Sequence, residues 1–451
     1  MRGGTRTARL SILLLVVCFF ASCQRPPSPE PGKSEDAKRF TFAARPSKPI
    51  TFLSTQLNPV EEAGRMRDSI LKDFPGKVDF RPNDNNYLFS QINSLLAGDP
   101  STSILIGALQ GDLAKLYDED SLRPLEDLYG RLRQSRTFSE NLMSLCRLDG
   151  KNVFIIPWMQ ASFVMVANRK ALPYLPPGAD LGSLSYQQLE QWAKNIYEKT
   201  GKRALGFPAG SKGLMHRFFQ GYLYPSFTDS TLLKFRTMDA RSMWVYFKDL
   251  WRFVRPTSLG YSTMAEPLLT DDVWIAWDHT ARLVKAFEER PNDFVAFPAP
   301  IGPKGRGFMP VLSCLAVPKK AAGIESQSIL IDYLTRPEIQ NRTLNETGFF
   351  PVVNGGENGG IDPRLAGLVS AVTSQENSSA SIPTLLPVGL GERGEDYNNL
   401  FMLTFSEIVL QGMDIASVLD ANARELQKVL DAENARCWLP DVSGERPCKI
   451  E

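Results

Sequence analysis

Ser103–Gly107 reads SILIG, three aliphatic residues in a row between two small ones. A short run with no polar alternation is the pattern of a strand covered on both faces, as in a parallel sheet. Its upstream neighbours repeat the theme. Ile50–Thr55 (ITFLST) reads as a short buried strand. The segment NPVEEAGRMRDSILKDFPG then predicts a helix, with Asn58 as N-cap, Pro59 at the first helical position, and Glu61 and Glu62 in the first turn. Val60, Ala63, Met66, Ile70, Leu71 and Phe74 form its apolar stripe. KVDF (Lys77–Phe80) alternates as a strand, and a second helix is expected over Tyr87–Ala97. Strand, helix, strand, helix, strand is an α/β order.

The same grammar continues downstream. LDGKNVFIIP (Leu148–Pro157) places an Asp-Gly turn before a strand, and SFVMVANRKAL (Ser162–Leu172) runs from strand to helix. In SYQQLEQWAKNIYEKTG, Ser185 and Gln188 form a capping box, and Leu189, Trp192, Ala193 and Ile196 form the buried face. Gly201 closes that helix. From there to Phe287 the pattern is mostly helical, interrupted by a strand at Val273–Trp277. Further strands are expected at Phe294–Phe297 and in VLSCLAVP (Val311–Pro318), followed by helices over Ala321–Asn345. The chain has 451 residues, enough for two cores. Its composition, 43% hydrophobic and 22% charged, is that of an ordinary folded protein.

The first residues point to export. Arg2, Arg6 and Arg9 precede an apolar run from Leu10 to Ala21, which reads as a secretory signal and is too short to span a membrane. FFASC, ending at Cys23, resembles the lipobox of bacterial lipoproteins, with Phe20 in place of the usual aliphatic residue. That resemblance implies cleavage after residue 22 and a lipid (palmitate-type) anchor on Cys23. The alternative is an ordinary signal peptide cut nearby. QRPPSPEPGKSEDAKR is rich in Pro, Ser and charge, and suits a flexible tether. Cleavage takes the basic count from 51 to 48, against 50 acidic residues. A near-neutral chain carries no electrostatic footprint for nucleic acid. Cys437 and Cys448, in CWLPDVSGERPC, are a candidate disulfide, and Cys146 and Cys314 are expected in the core. No C-x-x-C spacing suggests a zinc site.

Two motifs fail their context tests. VGLGERG (Val388–Gly394) matches G-x-G-x-x-G, but Pro387 precedes it and Glu392 would face the phosphates, so no dinucleotide cofactor is expected. AGSKG (Ala209–Gly213) puts Ser211 in a near-miss of a hydrolase elbow. The chain's two histidines, His216 and His279, lack a clear separate orienting acid. A carbohydrate-active hydrolase using Asp112, Glu266 and Asp278 stays open, because chain spacing does not give carboxylate separation. Five strand ends share a different composition, polar groups beside aromatics. These are Ser54, Thr55 and Gln56; Gln110 and Asp112; Trp158 and Gln160; Trp277, Asp278 and His279; and Phe308. In open α/β sheets, ligands bind where strands end.

ITFLST…NPVEEA, LLAGDPSTSILIG, ALGFPAG, VWIAWDHTARL, FVAFPAPIGPKG and VLSCLAVPKKA…ILIDYLTRPEIQNRTLNETGFFPVV occur in this order. Together they resemble the extracellular solute-binding proteins of bacterial ABC importers, in the sugar-binding group that includes the maltose-binding proteins. The resemblance implies a type II two-lobe α/β fold joined by hinge strands near Ile155–Trp158, Phe297–Pro300 and Phe349–Val352. It divides the chain into a signal peptide (1–22), a lipid-anchored tether (23–48), lobe 1 (49–157 plus 299–350) and lobe 2 (158–298 plus 351–451). It implies a monomer without catalysis, metal or cofactor, held at the cell envelope, that passes a carbohydrate to membrane permease subunits. Carried onto this chain, Trp277 would stack on a pyranose and Asp278 would hold paired hydroxyls. Gln56, Asp112, Trp158, Gln160, His279, Arg282 and Phe308 would line the cleft, with Trp158 alternatively a structural plug at the hinge.

Overall fold

The computed structural model describes residues 45–55, 60–83, 85–99, 101–354, 360–390, 393–442 and 446–451. The signal, Cys23, the N-cap pair Asn58 and Pro59, and Gln56 lie outside the described residues. Thirteen strands are present among the described residues: β1 Ile50–Ser54, β2 Val78–Pro82, β3 Ser103–Leu109, β4 Thr137–Phe138, β5 Ile156–Ala161, β6 Phe163–Asn168, β7 Leu205–Gly206, β8 Ile275–His279, β9 Phe294–Phe297, β10 Arg306–Phe308, β11 Val311–Ala316, β12 Val353–Asn354 and β13 Ser381–Pro383. They build two principal sheets.

Lobe 1 is organised on a five-stranded sheet of order β2-β1-β3-β11-β5. β1 runs parallel to β2 and β3, while β11 is antiparallel to both β3 and β5. The SILIG run is β3, and every residue from Ser103 to Ala108 is buried, as a strand with helices on both faces requires. Lobe 2 is organised on a four-stranded sheet of order β7-β8-β6-β9. Local sequence chemistry shows in its helix Tyr186–Thr200. Ser185 accepts from the Gln188 N–H, the Gln188 side chain returns the bond, and Gly201 ends the helix at φ 71°. Cys146 and Cys314 are buried and unbridged.

Several boundaries move. The first helix gives way to a π-helical turn that ends at Ile70, yet Leu71 and Phe74 remain buried beyond it. The strand expected at Val273–Trp277 lies at Ile275–His279, so Asp278 and His279 are strand residues. The first passage between the sheets is at Ser162, because Ile156–Ala161 is still paired with β11. The return passage falls at Met309–Pro310, because β10 first pairs with β13 beside lobe 2. Phe350 forms the third junction, exchanging backbone bonds with Gln160 at 3.0 and 2.6 Å. Among the described residues, no helix is long and apolar enough to cross a membrane.

Candidate functional site

Strand directions decide which ends face the junction of the lobes. β11 starts at Val311, just after a passage, and pairs Val311 with Ala161 and Ser313 with Leu109. The carboxyl ends of β3 and β5 therefore lie at the junction, with that of β1 beside β3. In lobe 2, β6 starts at Phe163, just after the other passage, and pairs Phe163 with His279. The carboxyl end of β8 is at the junction too. β7 is parallel to β8, so the loop leaving its carboxyl end carries the chain to the helical turn Met215–Phe218 at the same place.

The lobes touch there. A Cβ on Gly111, in the first turn of helix Gln110–Asp118, would lie 3.5 Å from the Pro387 carbonyl and 3.6 Å from a Val388 methyl. At the other end of that helix, Asp118 faces Arg436 at 3.7 Å and Arg446 at 3.5 Å. Arg436 immediately precedes the C-terminal loop closed by the Cys437–Cys448 disulfide, and Arg446 lies within it. A groove of about 230 Å³, lined by Gln110, Leu145, Val388 and Trp438 among others, follows the same seam.

The lobe 2 wall is aromatic and basic. Phe163 stacks on Trp277 at 4.7 Å, and His279 meets Phe163 edge-on at 5.0 Å. Phe218 and Tyr222 pack edge-on against Trp277. Tyr222 accepts from the Phe163 N–H, which ties this cluster to the passage. His216, Arg217, His279 and Arg282 keep partial solvent contact. Burial, then nearby arginines, pushes both histidines down to about 3, so they are neutral imidazoles at ordinary pH. On the lobe 1 side, Asp112 is partly exposed in the first turn of its helix, and burial pushes its carboxyl up to about 6. Among the described residues, three buried polar atoms of this region have no hydrogen-bond partner: Thr55 Oγ1 just after β1, Trp277 Nε1, and the Tyr397 hydroxyl. Buried polar atoms are rarely left so unless water or a ligand completes them.

The predicted residues divide sharply. Asp112, His279 and Arg282 stand at the junction; Arg282 holds the Ser262 carbonyl at 2.7 Å. Trp158 does not line a cleft: it is fully buried in lobe 1, donating to Ser313 Oγ at 2.8 Å and packing on Phe52. This is the plug alternative. Gln160 is 4% exposed, and its amide is taken by the Pro351 carbonyl and Glu376. Trp277 cannot offer its stacked face to a sugar, because Phe163 covers it and the whole side chain is buried. Asp278 is also fully buried, and its two oxygens accept from the Met264 and His279 N–H groups at 2.7 Å each. Burial, the largest influence, pushes it up to about 7. Phe308 is buried in β10. Trp274, by contrast, is partly exposed, with Lys170 and Lys202 over its ring. Sequence reasoning missed Phe163, Arg217, Tyr222 and Tyr397. The F-x-x-x-Y spacing of Phe218 and Tyr222 was a helical core signal, and nothing local marked Tyr397. It also passed over Tyr87, 65% exposed in the helix that follows β2.

The hydrolase reading finds no support. Ser211 and Glu266 are exposed, the Asp278 oxygens are consumed, and among the described residues no cluster of His, Cys, Asp and Glu could hold a metal.

A family profile described as bacterial extracellular solute-binding protein matches residues 66–357. No curated protein matches by sequence. Among solved structures, the bacterial solute receptor AcbH, described as exclusively preferring β-D-galactopyranose, superposes with a TM-score of 0.67 at 16% identity. The match covers 86% of this chain and 100% of that one. The sugar-binding protein MalE of Xanthomonas citri gives 0.66 at 16% identity, over 85% and 97%. UgpB of Mycobacterium tuberculosis, solved with glycerophosphocholine, gives 0.60 at 18% identity, over 86% and 99%. At these identities the likeness speaks for the fold, a two-lobe binding-protein architecture.

Proposed function

The chain belongs to the bacterial extracellular solute-binding protein family, and on that premise we propose that it captures a carbohydrate between its lobes for a membrane ABC permease. The carrying observation is the junction itself. Two separately organised sheets direct their strand ends at one seam, where the lobes touch and where, among the described residues, Thr55 Oγ1 and the Tyr397 hydroxyl are buried without a hydrogen-bond partner. A hydroxyl-rich solute supplies both donors and acceptors for such atoms. Closed-lobe contacts such as Gly111 with Val388 favour one state of an open–closed equilibrium, and the solute adds to that preference. The sugar class is supported by AcbH and MalE sharing the fold.

The remaining parts of the reading fit the sequence. Cys23 carries a lipid, residues 23–48 tether the body to the envelope, and the body acts as a monomer with no role for nucleic acid. The lobes comprise residues 49–157 plus 299–350 and 158–298 plus 351–451, adjusted to the passages at Ser162 and Met309–Pro310. Asp112, His279 and Arg282 contact the solute, together with Gln56, which follows β1 in the sequence.

A thermal-shift and tryptophan-fluorescence screen of the mature chain against mono- and oligosaccharides tests this. The expected result is a saturable response to one sugar class, scaling as RT ln(1 + [L]/Kd), without product formation. Silence across the whole panel, or turnover of any sugar, would sink the reading.

A further inference from the structure

We propose that the captured solute carries an oxyanion, a carboxylate or a phosphate ester, held by the Arg217 guanidinium with the Tyr397 hydroxyl beside it. The inference rests on the solute-capture reading above and narrows its substrate class.

Arg217 lies in the helical turn that follows the carboxyl end of β7, on the junction side of lobe 2. Among the described residues its side chain makes one hydrogen bond, Nη1 to Gln220 Oε1 at 2.9 Å, and has no carboxylate partner. Gln220 is itself tied to Asn398 at 3.0 Å. Where this chain uses a buried arginine for structure, the pattern differs. Arg136 in lobe 1 meets Asp332 in an ion pair and also bonds Thr335 and the Asp332 carbonyl. Arg217 has four N–H donors left over and lies within charge range of Tyr397. The Tyr397 hydroxyl is buried and has no partner of its own.

Among the described residues, the buried acids of this region are occupied. Both Asp441 oxygens accept from Ser230 and from the backbone N–H groups of Thr231, Leu232 and Leu233. Asp278 is held by Met264 and His279. Arg282 adds a second guanidinium to the same wall, also without a carboxylate within ion-pair distance, and His216 lies within range of both arginines. Burial depresses the Arg217 guanidinium to about 10, so its partial solvent contact does not make up the hydration it loses. A neutral pyranose closing over this corner would leave that charge uncompensated. A planar oxyanion fits the guanidinium fork through two parallel bonds and gives the Tyr397 O–H an acceptor.

The experiment is calorimetry on the mature chain with matched sets: glucose, galactose and mannose, each as the neutral sugar, the hexuronate and the 6-phosphate. The acidic member of one set is expected to bind about 100-fold tighter than its neutral partner, and uronate against phosphate identifies the oxyanion. Arg217→Gln should cost that acidic ligand about 10- to 100-fold, the scale of a charge-assisted bond, with Arg217→Lys intermediate. Tyr397→Phe should cost it about 3- to 10-fold with the melting temperature preserved. If a neutral sugar binds as tightly as its acidic partner and Arg217→Gln leaves that affinity unchanged, the oxyanion is wrong while solute capture stands. If no member of these sets and no oligosaccharide of the earlier panel binds, the capture reading falls and takes this inference with it.

Discussion

Trp158-Met159-Gln160 and Trp277-Asp278-His279 look alike as sequence, each an aromatic residue followed by polar groups at the end of an apolar strand. In the folded chain they part company. β5 does not end in a cleft. It runs through Ser162 straight into the other sheet, so its last side chains meet the Phe350 segment and Glu376. β8 stops, and a helix begins at Thr280, which leaves His279 and Arg282 at the open side of the junction. A strand that crosses between sheets has no free end to offer a ligand; a strand that turns into a helix has one. Within β8 the same contrast recurs on a smaller scale, since Trp277 and Asp278 are consumed by packing and His279 is not.

The largest effect that could break this comparison is at Trp158. Replacement by Ala should cost about 3–5 kcal/mol of stability in urea denaturation. A stable Trp158→Ala protein that had lost only solute affinity would restore Trp158 to the site. Next comes Asp278→Ala, which orphans the buried Met264 N–H and the half-buried His279 N–H and should lower stability by about 1–3 kcal/mol, chiefly in the melting curve. Conversely, Arg282→Gln should weaken solute binding about 10-fold or more in calorimetry while stability stays within about 1 kcal/mol of the parent.

Acidity sharpens the comparison within β8. His279 and His216 have folded values near 3, below their ordinary 6.5, so the unfolded chain takes up their protons first. Their contribution to stability is therefore lost as pH falls from about 6.5 toward 3. Asp278 works in the opposite sense. Its folded value near 7 lies above its ordinary 3.8, so its contribution is lost as pH rises between these values. Denaturation curves from pH 4 to 7.5 on the His216→Gln, His279→Gln double variant should show a slope of stability against pH more negative than the parent's. An unchanged slope would mean that the imidazoles are freely hydrated. The smallest effect is expected at Asp118→Asn, which removes two exposed ion pairs worth about 0–1 kcal/mol in all. Solute affinity should drop by no more than about fivefold, with the melting temperature nearly constant.

The chain's own order of residues was enough to establish much of the architecture. SILIG could only be a doubly covered strand, because three consecutive aliphatic residues leave no polar face. Ser185, Gln188 and Gly201 bounded a helix because capping depends on neighbours three or four residues away. The α/β order was legible from the succession of such local signals, and the two lobes from the family resemblance that the ordered motifs carry. Which strand ends remained open was decided only in three dimensions. Burial of Trp277 depends on Phe163, Phe218 and Tyr222, the last two brought from a separate helical segment. The occupation of Asp278 depends on Met264, and the approach of Arg217 to within charge range of Tyr397 joins positions 180 residues apart. Local sequence fixes conformation through short-range sterics and hydrogen bonds. Whether a polar group is spent or available depends on partners that only the packed chain brings within reach.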